Sequence, residues 1–229
     1  MLSAMPVVFL IDVDNTLLDT DRFSSDLGQH LDNAFGEAER KRFWKIYDQL
    51  RINLGYADYL ATLQLFRAGN DNELALLQMS SFLLDYPFNE RFYPDAIAAI
   101  QHLNCLGSTV ILSDGEMVFQ PRKIQRSGIW DLVEGRVLIY QHKELSLDAM
   151  QVRFPAAHYV MIDDKPRLLA AMKKTLGEKL TTVFVRQGHY AHEPLTAPIT
   201  PAPDLVIECI GDLLTKKLPD FLLPAQGKK

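Results

Sequence analysis

Six short apolar runs punctuate the chain: 7–11 (VVFLI), 109–112 (TVIL), 137–140 (VLIY), 159–162 (YVMI), 181–185 (TTVFV) and 205–207 (LVI). Each is too short for a buried helix and rich in β-branched residues. Continuous rather than alternating hydrophobicity marks strands covered on both faces. Helical patterns separate most of them. Residues 94–106 place Ile97, Ile100 and Leu103 on one side, with Pro94 suited to a first turn and Gly107 to a stop. Residues 166–176 repeat the arrangement with Pro166, Leu169, Met172, Leu176 and Gly177. A last helix is expected over 210–218. Strands alternating with helices specify an α/β fold, a Rossmann-like parallel sheet flanked by helices.

Residues 20–90 break this rhythm. Phe23, Leu27, Leu31 and Phe35 recur at helical spacing, followed by Phe43, Ile46, Tyr47 and Leu50. Tyr56, Tyr59, Leu60, Leu63 and Phe66 mark a third helix closed by Gly69. A fourth carries Leu74, Leu77 and Leu84, with Asp71 suited to its cap. The reading is an inserted helical domain of four helices over 20–90. The α/β core then comprises 1–19 and 91–229. Gly188–Pro203 carries four prolines and reads as an extended surface connection.

Bulk properties narrow the function. A net charge of −5 argues against a broad nucleic-acid-binding face. No apolar stretch reaches the roughly 18 residues of a membrane span, and no secretory signal is visible. Cys105 and Cys209 lack metal-ligand spacing and read as small core residues in a reduced compartment. A cytoplasmic protein, monomer or homodimer, is expected.

The chemistry is written where the strands end. In an open parallel sheet, ligands bind beyond the carboxyl ends of the strands. The first run ends on Asp12 and Asp14, the second on Ser113 and Asp114, the fourth on Asp163 and Asp164; Lys143 follows the third. One such acid is commonly a turn or cap residue. Three strands ending this way make a site. Clustered carboxylates are hard oxygen ligands suited to Mg²⁺, whose charge lets like charges crowd together.

These residues resemble the motifs of the haloacid dehalogenase-like (HAD) hydrolase superfamily, in its C1-capped phosphatase branch. Asp12-Val13-Asp14-Asn15-Thr16 is similar to the DxDxT motif. Ser113 resembles the second motif, Lys143 the third, and Asp163-Asp164 the acidic fourth. The helical insertion after the first motif resembles a C1 cap. Two departures stand out: Glu144 follows Lys143 where proline is common, and Asp114-Gly115 replaces the more usual Asn-Gly. Lys165 is a rival for the lysine role.

The resemblance implies a Mg²⁺-dependent phosphatase acting on a small phosphorylated metabolite through an aspartyl-phosphate. Asp12 would be the nucleophile and Asp14 the general acid/base. Ser113, Asp114 and Lys143 would contact substrate. Asp12, the Asp14 backbone carbonyl, Asp164 and Asp163 would hold the metal, with Asp164 the direct ligand of the last pair. Thr16 would support the phosphate pocket or order the turn. A phosphomutase shares these motifs. A haloacid dehalogenase has no use for Asp14, and a non-catalytic binding protein would be expected to lack a motif residue. The basic run at 40–42 with Lys45 reads as a solvated helix face. Phe43, Trp44 and the aromatics of 56–66 read as cap core, and His189, Tyr190 and His192 as an ordinary loop.

Overall fold

A six-stranded sheet organises the molecule, with every pairing parallel and the order β3-β2-β1-β4-β5-β6. The strands are β1 (Val7–Ile11), β2 (Ser108–Asp114), β3 (Val137–Tyr140), β4 (His158–Asp163), β5 (Leu180–Val185) and β6 (Leu205–Ile207). All six apolar runs are therefore strands. The computed structural model describes residues 7–192 and 198–215.

Side chains alternate across the sheet, as a two-residue repeat requires. Phe9, Ile11, Ile111, Val160, Ile162 and Val183 enter one apolar cluster. Val8, Leu10, Val110, Leu112, Tyr159 and Met161 enter the other. The helices that follow the strands cover both faces. They are α5 (Ala96–Leu106), α6 (Phe119–Ser127), α7 (Ile129–Leu132), α8 (Leu147–Arg153), α9 (Pro166–Leu176) and the short α10 (Gly188–His192). Pro166 opens α9 as its first residue.

Four helices lie between β1 and the rest of the sheet: α1 (Thr20–Phe35), α2 (Glu37–Leu54), α3 (Tyr59–Arg67) and α4 (Glu73–Asp85). Asp19, Asp58 and Asn72 cap α1, α3 and α4 through side-chain acceptors. Phe23 is the hub of this insertion. Its ring lies 4.9–5.8 Å from those of Tyr59, Tyr86, Phe88 and Phe119. Phe119 belongs to α6, so the same apolar cluster continues from the insertion onto one face of the sheet.

Several expectations need correction. Asn72, not Asp71, caps α4. Leu74 and Leu77 are 67% and 68% exposed, while Ala75, Met79 and Leu83 face inward. Leucine spacing fits a helix, but it does not say which stripe meets the neighbours. Tyr56 precedes α3. Pro94 precedes α5, whose cap Asp95 is left-handed at φ 63°. The last expected helix is a 3₁₀ turn over Ile210–Leu214, and 216–218 lie outside the described residues. Gly188–Pro203 opens with α10 rather than as an extended connection; 193–197 lie outside the described residues. Cys105 and Cys209 are exposed and free, not core. The basic run is only partly the solvated face expected: Lys41 is exposed and pairs with Glu37, Arg40 is half-buried against Asp32, and Arg42 lies over the Phe66 ring and donates to the carbonyls of Phe66 and Ala68. Among the described residues no helix is long and apolar enough to cross a membrane.

Candidate active site

Register explains why the acids meet. Ile11 lies opposite Ile111 on one side and Ile162 on the other. Next come Asp12 after β1, Asp163 on β4 and, after Leu112, Ser113 on β2, so the polar ends share one rim. The amide of Asp12 donates to Ile162 O at 3.0 Å, carrying the β1–β4 pairing one residue further. The strand order turns back between β1 and β4, which is where open α/β sheets form their crevice.

Asp12, Ser113, Lys143, Asp163 and Asp164 are all buried. Lys143 Nζ lies 2.5 Å from Asp12 Oδ1 and also donates to Leu112 O at 3.3 Å. It forms an ion pair with Asp163 Oδ2 at 2.7 Å, at an angle that is not a hydrogen bond. Asp114 Oδ1 accepts the Lys143 backbone amide at 2.8 Å, which anchors the turn carrying the lysine. Burial opposes the Lys143 charge, but Asp12 and Asp163 hold the ammonium well above its usual range. Lys165, the rival, makes no ion pair within 4.0 Å among the described residues.

Asp12, Asp163 and Asp164 can each turn a carboxylate oxygen toward one point, these oxygens lying within 4.8 Å of one another. Asp163 is already committed, with Oδ1 accepting the Lys165 amide at 2.8 Å and Oδ2 facing Lys143. Asp12 Oδ2 and both oxygens of Asp164 are buried without a partner. Buried polar atoms rarely stay unsatisfied. Burial pushes the Asp12 carboxyl up to about 6 against the pull of Lys143. It pushes Asp164 up to about 9 against the pull of Lys165. Orphaned, hard oxygen donors whose negative charge is disfavoured fit a divalent cation.

Asp14 sits differently. Its side chain is 28% exposed and lines a cavity of about 480 Å³. Burial opposes its ionisation, yet the Lys123 ammonium and hydrogen bonds from Lys123 and Gln120 hold its carboxyl below the usual range. Neither Gln120 nor Lys123 was foreseen. Both follow Ser113 on α6, within a stretch of ordinary helical composition.

The cavity walls come from both parts of the chain. Trp44, Tyr47, Arg51, Tyr56 and Tyr59 of the insertion face Lys165, His189 and Tyr190 of the α/β part. Trp44, Tyr56 and Tyr59 are thus more than filler for the insertion, whereas Phe43 and Phe66 are core as expected. His189 and Tyr190 are also not an ordinary loop, although His192 is exposed. Asp21 holds His189 at both Nδ1, 2.5 Å, and its backbone amide, 2.8 Å. Tyr190 lies about 5 Å from Arg51 and from Lys165, within cation–π range of both. Gly55 ends α2 in the left-handed region at φ 81°, and a Cβ there would come within 2.3 Å of the His142 ring. Glycine at this position is what lets the insertion approach the rim so closely. Thr16 is buried in the turn after Asp14, with its hydroxyl unpartnered.

No protein-family model and no curated protein matches the chain. Solved structures do. A Burkholderia xenovorans LB400 protein, provisionally described as a haloacid dehalogenase-like hydrolase, is 56% identical; the match covers 93% of this chain and all of that one, with a TM-score of 0.87. L-2-haloacid dehalogenase from Xanthobacter autotrophicus is 18% identical over 90% and 96% of the two chains, with a TM-score of 0.59. A provisionally described HAD hydrolase of Bacillus subtilis, solved bound to magnesium, is 16% identical over 92% and 97%, with a TM-score of 0.60. The last two speak to fold alone. With the 56% identity and the strand-end motifs together, the chain belongs to the haloacid dehalogenase-like hydrolase superfamily.

Proposed function

We propose that this hydrolase is a Mg²⁺-dependent phosphatase that cleaves a small phosphomonoester through an aspartyl-phosphate. The observation that carries the reading is Asp14. It stands two residues after the proposed nucleophile, lines the cavity, and is held there by two side chains. A dehalogenase needs an attacking carboxylate but no second acid beside it. A non-catalytic protein has no need to keep every motif residue.

In this reading an Asp12 carboxylate oxygen attacks phosphorus, an O–P bond forms, and the bond to the leaving oxygen breaks. Lys123 and Gln120 favour the Asp14 anion, so Asp14 first takes up a proton from solvent in the cavity it lines and then delivers it to that oxygen. It then takes one from the water that attacks the aspartyl-phosphate, releasing phosphate and restoring Asp12. Lys143 holds Asp12 in place and offsets charge on the phosphoryl group. Ser113 donates its hydroxyl to a phosphoryl oxygen, and Asp114 anchors Lys143 at the substrate side. Asp12, the Asp14 backbone carbonyl and Asp164 hold the metal, with Asp163 in support. When bound, Mg²⁺ would neutralise charge on the carboxylates and the phosphoryl group. The insertion acts as a cap that shields the site from bulk water, and its aromatic wall selects the leaving group. The reading places the enzyme in the cytoplasm, as monomer or homodimer. The two free, exposed cysteines accord with a reducing compartment.

The test is a panel of phosphorylated metabolites with and without Mg²⁺, run beside Asp12→Asn. Phosphate release that needs both the metal and Asp12 is the expected result. Wild type that frees no phosphate, or frees halide from haloacids instead, overturns the reading. Isomerisation of a sugar phosphate would make the enzyme a mutase.

A further inference from the structure

Asp14 and Ser113 share a neighbour that neither motif contains. Gln120 Nε2 lies 2.8 Å from Ser113 Oγ and 2.9 Å from Asp14 Oδ2. A carboxylate only accepts hydrogen bonds, so the atom facing Asp14 must be the amide nitrogen, and that settles which way the amide points. Its two hydrogens serve the two acceptors. Ser113 Oγ thus accepts from Gln120 and keeps its own hydrogen for something else. The protein acceptor it has is Asp114 O, at a long 3.4 Å. An incoming phosphoryl oxygen is a better one.

Lys123 completes the arrangement. Its Nζ lies 2.6 Å from Asp14 Oδ1 and 5.3–5.7 Å from the ring centroids of Phe119 and Phe88. The side chain is 4% exposed. A lysine so placed is costly unless paired, and Asp14 is the carboxylate it meets. Residues 120 and 123 are three apart on α6 and so share a face. Between them they engage both oxygens of Asp14.

α6 is itself anchored. Glu116 accepts the amides of Val118 and Phe119 at its start. A Cβ on Gly115 would approach Gln120 Cβ to 2.7 Å, so the glycine leaves room for that side chain. On its outer side, Arg122 pairs with Asp85 at 3.0 Å and Arg126 donates to Asp85 O at 2.9 Å, tying α6 to the end of α4.

We propose that Gln120 and Lys123 are positioning residues. They act as a two-point clamp on α6 that sets the Asp14 carboxylate and the direction of the Ser113 hydroxyl before substrate arrives. The proposal rests on the phosphatase reading for its kinetic consequence, but not for its geometry. Both residues also line the cavity, so the split between kcat and KM separates positioning from substrate contact.

Gln120→Ala, Lys123→Met and Lys123→Arg are to be assayed with the best substrate from the metabolite panel, and thermal midpoints and crystal structures recorded alongside. Misplacing a reacting group by about 1 Å costs on the order of 100-fold. We therefore expect kcat to fall roughly 10- to 100-fold in Gln120→Ala and Lys123→Met, with KM within about threefold. Lys123→Arg should recover part of that loss, and Asp14 should be turned from its present position in the first two crystals. Wild-type kcat in either variant overturns the clamp. So does a rise in KM alone, which would make Lys123 a substrate ligand, or an equal loss in Lys123→Met and Lys123→Arg. If wild type hydrolyses no phosphomonoester, the phosphatase reading fails by itself. The clamp is then judged on the crystals: Asp14 displaced supports it, and Asp14 unmoved overturns it.

Discussion

The rim of the sheet and the helical insertion are both well buried, but they are ordered by opposite means. At the rim, charge is set against charge: Asp12, Asp163 and Lys143 lie within ion-pair distance, and Asp164 is left without a partner. In the insertion, ring is set against ring, with Phe23 touching aromatics from α3, α4 and α6. Burying charges is unfavourable unless each is answered, so the rim holds latent strain that a cation or substrate can relieve. Burying rings is favourable outright. One region leaves charge unanswered and the other closes ring on ring.

This contrast can be broken from either side. The largest effect belongs to the rim. Asp12→Asn should reduce kcat by at least about 10⁴-fold, as loss of a nucleophile does, while leaving the thermal midpoint within a few degrees. A large loss of stability in that variant would mean that the rim carries shape after all. In the insertion the order reverses. Phe23→Ala should cost about 3–5 kcal/mol in denaturant unfolding, because a fully buried hub leaves a cavity. A cost under about 1 kcal/mol would show that the rings repack freely.

A third measurement sharpens the role of the orphaned oxygens. Saturating Mg²⁺ at about 100 times its Kd should stabilise wild type by about 2.7 kcal/mol in thermal or denaturant unfolding. Asp164→Asn should lose most of that gain, whereas a full gain in the variant would move the metal elsewhere.

The smallest effect concerns the seam between the regions. Asp26 of α1 accepts from Tyr86 at 2.5 Å and from Arg91 at 3.1 Å. Burial opposes its charge, but those hydrogen bonds and the nearby Arg22 and Arg91 hold its carboxyl below the ordinary 3.8. A depressed acid stabilises the fold above its unfolded value, and that contribution is lost as pH falls through the lower folded value. Stability should therefore decline more steeply below about pH 4 in wild type than in Asp26→Asn. Parallel acid limbs in the two proteins would exclude the seam as a contributor.

How much was legible follows the same division. Strand-end acids are readable because each apolar run marks its own end: once two parallel runs are aligned, the residues after them must emerge together. Asp12, Ser113, Lys143, Asp163 and Asp164 accordingly meet on one rim. Ring packing and helix rotation are not local. Leu74 and Leu77 have the spacing of a buried stripe yet face outward, because α4 turns Met79 and Leu83 toward its neighbours instead. His189 and Tyr190 carry no pattern at all. They reach the cavity because Asp21, far away in sequence, holds His189 there.

By itself, then, the sequence determined the parallel sheet, the four-helix insertion and the acids at the strand ends. Periodicity and chain direction are enough to specify each of these. Only the tertiary structure decided what surrounds Asp14. Gln120 and Lys123 lie more than 100 residues further along the chain. No local pattern marks a glutamine or a lysine as inward-facing, since both are ordinarily solvated. What turns them inward is the seating of α6 against the rim on one side and α4 on the other, and that exists only once the chain has folded.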